Sequence, residues 1–164
     1  MGFVHTSNLG EFIVKITREL AQQAFDMVKP AIIAMMGCEM VKRKQLAIVV
    51  KGLDGTTEMY ECIGDPISFE GPYGEIARSK AQVAFETKMS TIDLQRFPHL
   101  MIPGQTHWIG GVFCQGFSVG VSGVQAHYDH LFASWIAEAI LALFRDSFAR
   151  FRTEHPSENF LPQE

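Results

Sequence analysis

Cysteine is scarce in this chain: Cys38, Cys62 and Cys114 are an odd number among 164 residues, with no spacing that suits a metal or a disulfide framework. This excludes a small stapled domain and marks the thiols as reduced residues of a cytoplasmic protein. No apolar run reaches the roughly 18 residues of a transmembrane helix, and no secretory leader is recognisable, so no membrane partner is expected. Basic charge is sparse too. The formal net charge is −4 and the densest basic run, Lys42-Arg43-Lys44, is three residues long. A nucleic-acid partner is therefore excluded, and the run reads as the solvated entrance to a strand. Gly104 and "GPYG" lack the spacing and the Lys-Ser/Thr pair of a phosphate loop. "GVSGV" lacks the Gly-x-Ser-x-Gly of a nucleophile elbow. Internal repeats and low-complexity tracts are missing as well.

Apolar residues are plentiful, at 47% of the chain, enough to bury a real core in one domain. Residues 1–164 read as a single domain with its core over about 11–151, followed by a polar, proline-broken, flexible tail at 152–164. From Glu11 to Met36 apolar residues recur at three and four, the period of one helix face. Ser7 or Asn8 is a candidate cap, Gly37 a candidate stop, and Pro30 predicts a kink or a split into two helices. "LAIVVKG" (46–52) reads as a central strand that returns through Asp54-Gly55 as "TEMYECI" (57–63). The segment 64–74 is loop. A helix over 73–89 buries Ala77, Ala81 and Ala84, and a short one over 91–97 follows. Trp108–Cys114 and Phe117–Ser122 form a second hairpin, and a long helix covers about 125–151. The fold class is α+β, an antiparallel sheet of about five strands flanked by helices.

The stretch "GGVFCQGFSVGVSGVQAHYDH" (110–130) concentrates five glycines beside two histidines and a carboxylate. Those glycines serve either a twisted hairpin against a close-packed helix or the approach of a flat ligand. We favour the edge of a pocket, because Ser122-Gly123 also leads into the amide-rich N-terminus of the last helix. Gly110, Gly111, Ser122 and Gly123 are thus candidate ligand-binding residues, with Glu70 and Tyr73 from the 64–74 loop. His127 and His130, three apart on a helix, are candidates for a shared metal that needs further ligands from His107, Glu70 or Asp129. The alternative is two solvent-facing histidines and an Asp129 that favours the helix dipole. Lys80, on an alanine-rich helix, pairs with an acid, reaches a ligand's carboxylate, or snorkels to water. Four large aromatics on the last helix (Phe132, Trp135, Phe144 and Phe148) form a stripe broad enough to meet another subunit, or to line a thick core.

"GGVFCQGFSVGVSGVQAHYDHLFASWIAEAI" resembles the signature of the GlcG/HbpS family, also met as the C-terminal domain of PduO-type proteins and labelled a haem-degrading domain. Gly110, Gly111, Gly120, Ser122, Gly123, Asp129 and Ala133 carry the likeness. "IARSKAQVAFETKMST" (76–91) is similar to that family's alanine-rich helix through Ala77, Lys80, Ala81, Ala84 and Thr91. The resemblance implies a profilin-like fold, assembly as a homo-oligomer (a dimer or a larger ring), and haem or another flat anionic ligand. The chain departs from the pattern at Lys51, where the family has Asp, at Phe113, where it has Pro, at Pro30, and through the 64–74 loop. Three functions compete. One is a binding module for haem or a similar small molecule. The second is a cofactor-independent isomerase, cyclase or dehydratase of a biosynthetic pathway. There His107 or His127 would be the base, Asp129 its orienter, and Lys80 would steady an oxyanion. The third is a purely structural assembly protein. For the first two, the ligand site is expected at a subunit boundary.

Overall fold

The computed structural model describes residue 13 and residues 15–162. Helix α1 spans Arg18–Met36, and Thr17 caps it, its hydroxyl accepting from the Leu20 amide at 3.2 Å. The expected start at Glu11 and the Ser7 or Asn8 cap lie outside the described residues. Pro30 does not split the helix. It lies on the exposed face, where the carbonyl it leaves without an amide is free to bond water. At the other end Lys44 Nζ donates to the carbonyls of Met36, Cys38 and Val41. The run Lys42–Lys44 is exposed just ahead of the strand that starts at Leu46, and the Lys44 charge also sits where the helix dipole is negative.

Strands β1 (Leu46–Lys51) and β2 (Thr57–Ile63) form the first hairpin, and β3 (Gly111–Cys114) and β4 (Phe117–Ser122) the second. The second turns on Gln115 and Gly116, both at positive φ (45° and 102°), as a two-residue hairpin loop requires. The strands line up β2-β1-β4-β3, all antiparallel. The sheet thus has four strands rather than about five, and β3 begins at Gly111 rather than Trp108, because 104–110 is an irregular loop of turn and bends. Helix α2 spans Tyr73–Thr87, α3 Thr91–Leu94 and α4 Ala126–Glu154, so α4 runs into the segment expected to be tail. Short 3-10 turns occupy Pro66–Ser68, inside the expected loop, and Pro98–Leu100.

The two sheet faces differ in kind. Leu46, Ile48 and Val50 of β1, with Phe117, Val119 and Val121 of β4, join the main core under α1 and α4. The alternate residues face α2, and they are small: Ala47 pairs with Ser122, Val49 with Gly120, and Gly111 of β3 with Gly120. Ala47, Val49, Ala77 and Ala81 form a second, thin core there. The helix comes so close that a Cβ on Gly120 would collide with the Ala77 carbonyl oxygen, and one on Gly111 with that of Lys80. These two glycines thus serve the close packing of α2. Most of the α4 aromatic stripe is covered within the chain, since Phe132 is fully buried and Trp135 and Phe144 pack on the main core beside α1.

One charged contact joins the layers. Lys80 of α2, 2% exposed, donates to Asp129 Oδ2 of α4 at 2.9 Å and to the Val121 carbonyl at 2.8 Å. Removing one partner of such a pair strands a buried charge and costs about 3–5 kcal/mol, whereas two apolar residues of similar volume are close to neutral. Lys80→Met and Asp129→Leu should each destabilise by about that amount, with most of the loss restored in the double variant, as read by urea unfolding. Gly120→Ala should cost about 1–3 kcal/mol by forcing α2 off the sheet, seen in the same unfolding curves without an altered slope.

Candidate functional site

The site grows from the point where β4 ends and α4 begins. Asp129 lies in the first turn of α4, and its Oδ1 accepts from the Val124 amide at 3.2 Å while Oδ2 takes the Lys80 ammonium. Gly110, at φ +128°, lies against this pair, and a Cβ there would crowd Lys80 Nζ and the Val121 carbonyl. Thr91 Oγ1 holds the neighbouring backbone by accepting from the amides of Gly110 (3.0 Å) and Gly111 (2.9 Å). Burial pushes the Asp129 carboxyl up to about 6, against the pull of Lys80, and burial pushes the Lys80 amine down.

Above this floor lies a half-open cleft of about 480 Å³. Tyr73, Ile76 and Lys80 line it from α2, Ser122 to Ala126 and Asp129 from the β4–α4 junction, and Arg43, Trp108 and Ile109 from the flanking loops. Arg43 and Trp108 escaped the reading of the sequence. The signals were present, an arginine in the basic run before β1 and a tryptophan before the paired glycines, but both residues reach the cleft only through tertiary packing. Trp108 is 54% exposed, and the Gln125 side chain makes no capping bond at the α4 N-terminus. The cleft thus combines a cation, exposed aromatic surface and helix-end amides, a set that suits a flat molecule carrying a carboxylate.

The residues singled out from the sequence separate into two groups. Tyr73, Lys80, Ser122, Gly123 and Asp129 come together in the cleft. Gly110 and Gly111 lie behind it as packing contacts, and Glu70 is exposed with its carboxylate 4.0 Å from Arg43 Nε. The histidines are not lining residues. His107 is exposed and stacks on Trp108, with ring centroids 4.6 Å apart, and His127 is exposed beside Tyr128. His130 is half-buried, its Nδ1 has no hydrogen-bond partner, and burial lowers its pKa against the pull of Asp93. Among the described residues no three His, Cys, Asp or Glu side chains are grouped to hold a metal ion, so the further ligands that His127 and His130 need are not provided. Both Asp129 oxygens are engaged by Lys80 and Val124, which leaves it no histidine to orient.

Solved structures with this architecture are known. The chain is similar to the Klebsiella pneumoniae protein ORFY, a DUF336 protein, at 20% identity and a TM-score of 0.60 over 79% of this chain and 93% of that one. It is similar to a double mutant of HbpS from Streptomyces reticuli at 25% identity and a TM-score of 0.55, over 75% and 85%. Ybr137w follows at 15% identity and a TM-score of 0.59, over 86% and 84%. No family model and no curated protein matches the sequence. The likeness to the GlcG/HbpS family holds in three dimensions: the chain has that family's fold. No described helix is long and apolar enough to cross a membrane.

Asp129 offers a direct check on the site's electrostatics. A carbon-detected NMR titration should place its carboxyl near pH 6, above the ordinary 3.8. Because the folded chain holds this proton more tightly than the unfolded one, the group's contribution to stability is full below about pH 4 and lost as pH rises through about 6.

Proposed function

We propose that this protein is a small-molecule-binding module whose cleft, at the junction of β4 and α4, takes a flat anionic ligand. The observation that carries this reading is the meeting of Arg43, Trp108 and the first residues of α4 around one cleft. An arginine in such a place binds a carboxylate by a charge-assisted, two-pronged contact, and an indole face stacks on a planar body. Haem, which the family resemblance implies, is one such dianion. The lining suits its carboxylates better than its iron: among the described residues no histidine lines the cleft, and the Tyr73 phenol is the conventional haem ligand found there. The acid-base enzyme reading is less favoured, because Asp129 faces Lys80 rather than His107 or His127.

The binding unit in this proposal is a homo-oligomer. The cleft is open on one side, and Trp108 beside it is joined by further exposed apolar side chains, Phe97 (41%) and Leu100 (44%), on the segment that leads to it. A second subunit over that segment would close the cleft and bury those surfaces. The three unpaired cysteines suit a reducing compartment, in keeping with the cytoplasm.

Calorimetric titration with haemin and with aromatic carboxylates tests the binding reading. Arg43→Ala should weaken affinity for whichever binds by about tenfold or more, the loss of one charge-assisted contact, and Trp108→Ala should weaken it comparably. Unchanged affinity in both variants removes the cleft from consideration. Light scattering at micromolar concentration should show a dimer or larger, and a monomer that binds at full affinity excludes the shared site.

A further inference from the structure

The buried pair at the floor of the cleft is more than a tie between layers. We propose that Lys80 is a carbonyl-capturing nucleophile: its amine condenses with the carbonyl carbon of an α-keto acid held in the cleft, and Asp129 handles the protons. This rests on the reading of the cleft as an anion site, and it adds the substrate class and a covalent step.

Three observations support it. Lys80 and Asp129 both line the cleft floor, with side chains 2% and 4% exposed, so the pair borders the ligand space while staying nearly dry. Gly110 packs behind the amine, and the Cβ it lacks would lie 2.8 Å from Nζ, so glycine there is what lets the amine reach this position at the cleft floor. Arg43 and the α4 amides would hold the acid's carboxylate, and Trp108 or Tyr73 would face an aromatic body. Burial lowers the Lys80 amine and raises the Asp129 carboxyl, which narrows the gap between them and makes the neutral pair accessible.

The step balances within the site. A proton passes from Lys80 Nζ to Asp129 Oδ2 along their 2.9 Å hydrogen bond. The freed lone pair forms a bond to the carbonyl carbon as the carbonyl π electrons move to oxygen, which gains a proton from the attacking nitrogen. Asp129 then returns its proton to that hydroxyl, which leaves as water while the carbon–nitrogen double bond forms. The net change is ammonium plus ketone to protonated imine plus water, with no oxidant, metal or cofactor. The protonated imine is an electron sink for the bonds at the adjacent carbon.

Reductive trapping decides it. The full chain is incubated at pH 7 with phenylpyruvate and cyanoborohydride, and the adducts are mapped by peptide mass spectrometry. Phenylpyruvate binding without reductant is measured in parallel by calorimetry. The expected result is a secondary amine on Lys80 in greater yield than on any other lysine, since its ammonium is already bonded to a buried carboxylate that can take the proton. Lys80→Arg, which keeps a cation against Asp129, should abolish it. If that variant does not fold, the adduct map of the unaltered chain still decides. Adducts scattered over surface lysines, or none, overturn the proposal. Binding without an adduct on Lys80 removes the covalent step and leaves the anion site standing, whereas neither binding nor adduct removes both.

Discussion

A lysine and an aspartate that meet out of water constrain the whole molecule. Each charge loses its hydration on burial, and the loss is recovered only if the two stay within hydrogen-bond distance with their remaining polar atoms satisfied. Lys80 and Asp129 meet that condition through the Val121 carbonyl and the Val124 amide, both on the segment that leads from β4 into α4. The pair therefore fixes α2, the end of β4 and the start of α4 relative to one another. A shift of any of these would expose a buried charge to an apolar wall.

That geometry is reachable only because one face of the sheet is nearly bare. Lys80 reaches the end of β4 because α2 rests on Ala47, Gly111, Gly120 and Ser122 instead of on large side chains. Alanine on the helix and glycine on the strands are two halves of one packing solution. The opposite face, under α1 and α4, is thick with isoleucine, valine and phenylalanine and supplies most of the hydrophobic stabilisation. The thin layer positions chemistry while the thick one holds the fold. The cleft sits where the thin layer ends, beside a helix terminus and next to the pair.

Much of this was legible in the sequence, for local reasons. Continuous apolar runs joined by turn residues placed both hairpins, and the period of three to four placed α1 and α4, since each pattern is local. The alanines at 77, 81 and 84 announced a close approach, and Lys80 among them announced an unusual role. The identity of its partner was not legible, because Asp129 lies 49 positions away and nothing local distinguishes it from a dipole-favouring acid. The glycines were ambiguous for the same reason: a missing side chain marks proximity without saying to what. Gly110 and Gly111 turned out to face α2 and the buried pair. Histidines drew attention because their chemistry is versatile, yet chemistry depends on surroundings, and His107 and His127 are exposed. Arg43 passed as part of a solvated run. The breadth of the α4 stripe suggested a neighbouring subunit, but α1 and the sheet cover most of it, so that feature alone says little about assembly.

The layers could be held together without charge. Two apolar residues of the same volume would join α2 to α4 about as firmly, since the desolvation of an ion pair offsets much of its Coulombic attraction. What a charged pair adds is direction and reactivity. It holds one register of α2 against β4, together with the close packing of the helix on Gly111 and Gly120. It also places a hard-to-ionise amine beside a carboxyl that holds its proton well above the ordinary range. The burial that makes the pair costly is thus the same condition that makes proton transfer within it easy. A fold that needed only cohesion would gain nothing from putting this pair at the floor of an open cleft. Its position there, in one lining with Arg43 and Trp108, is what the proposed binding and the proposed covalent step have in common.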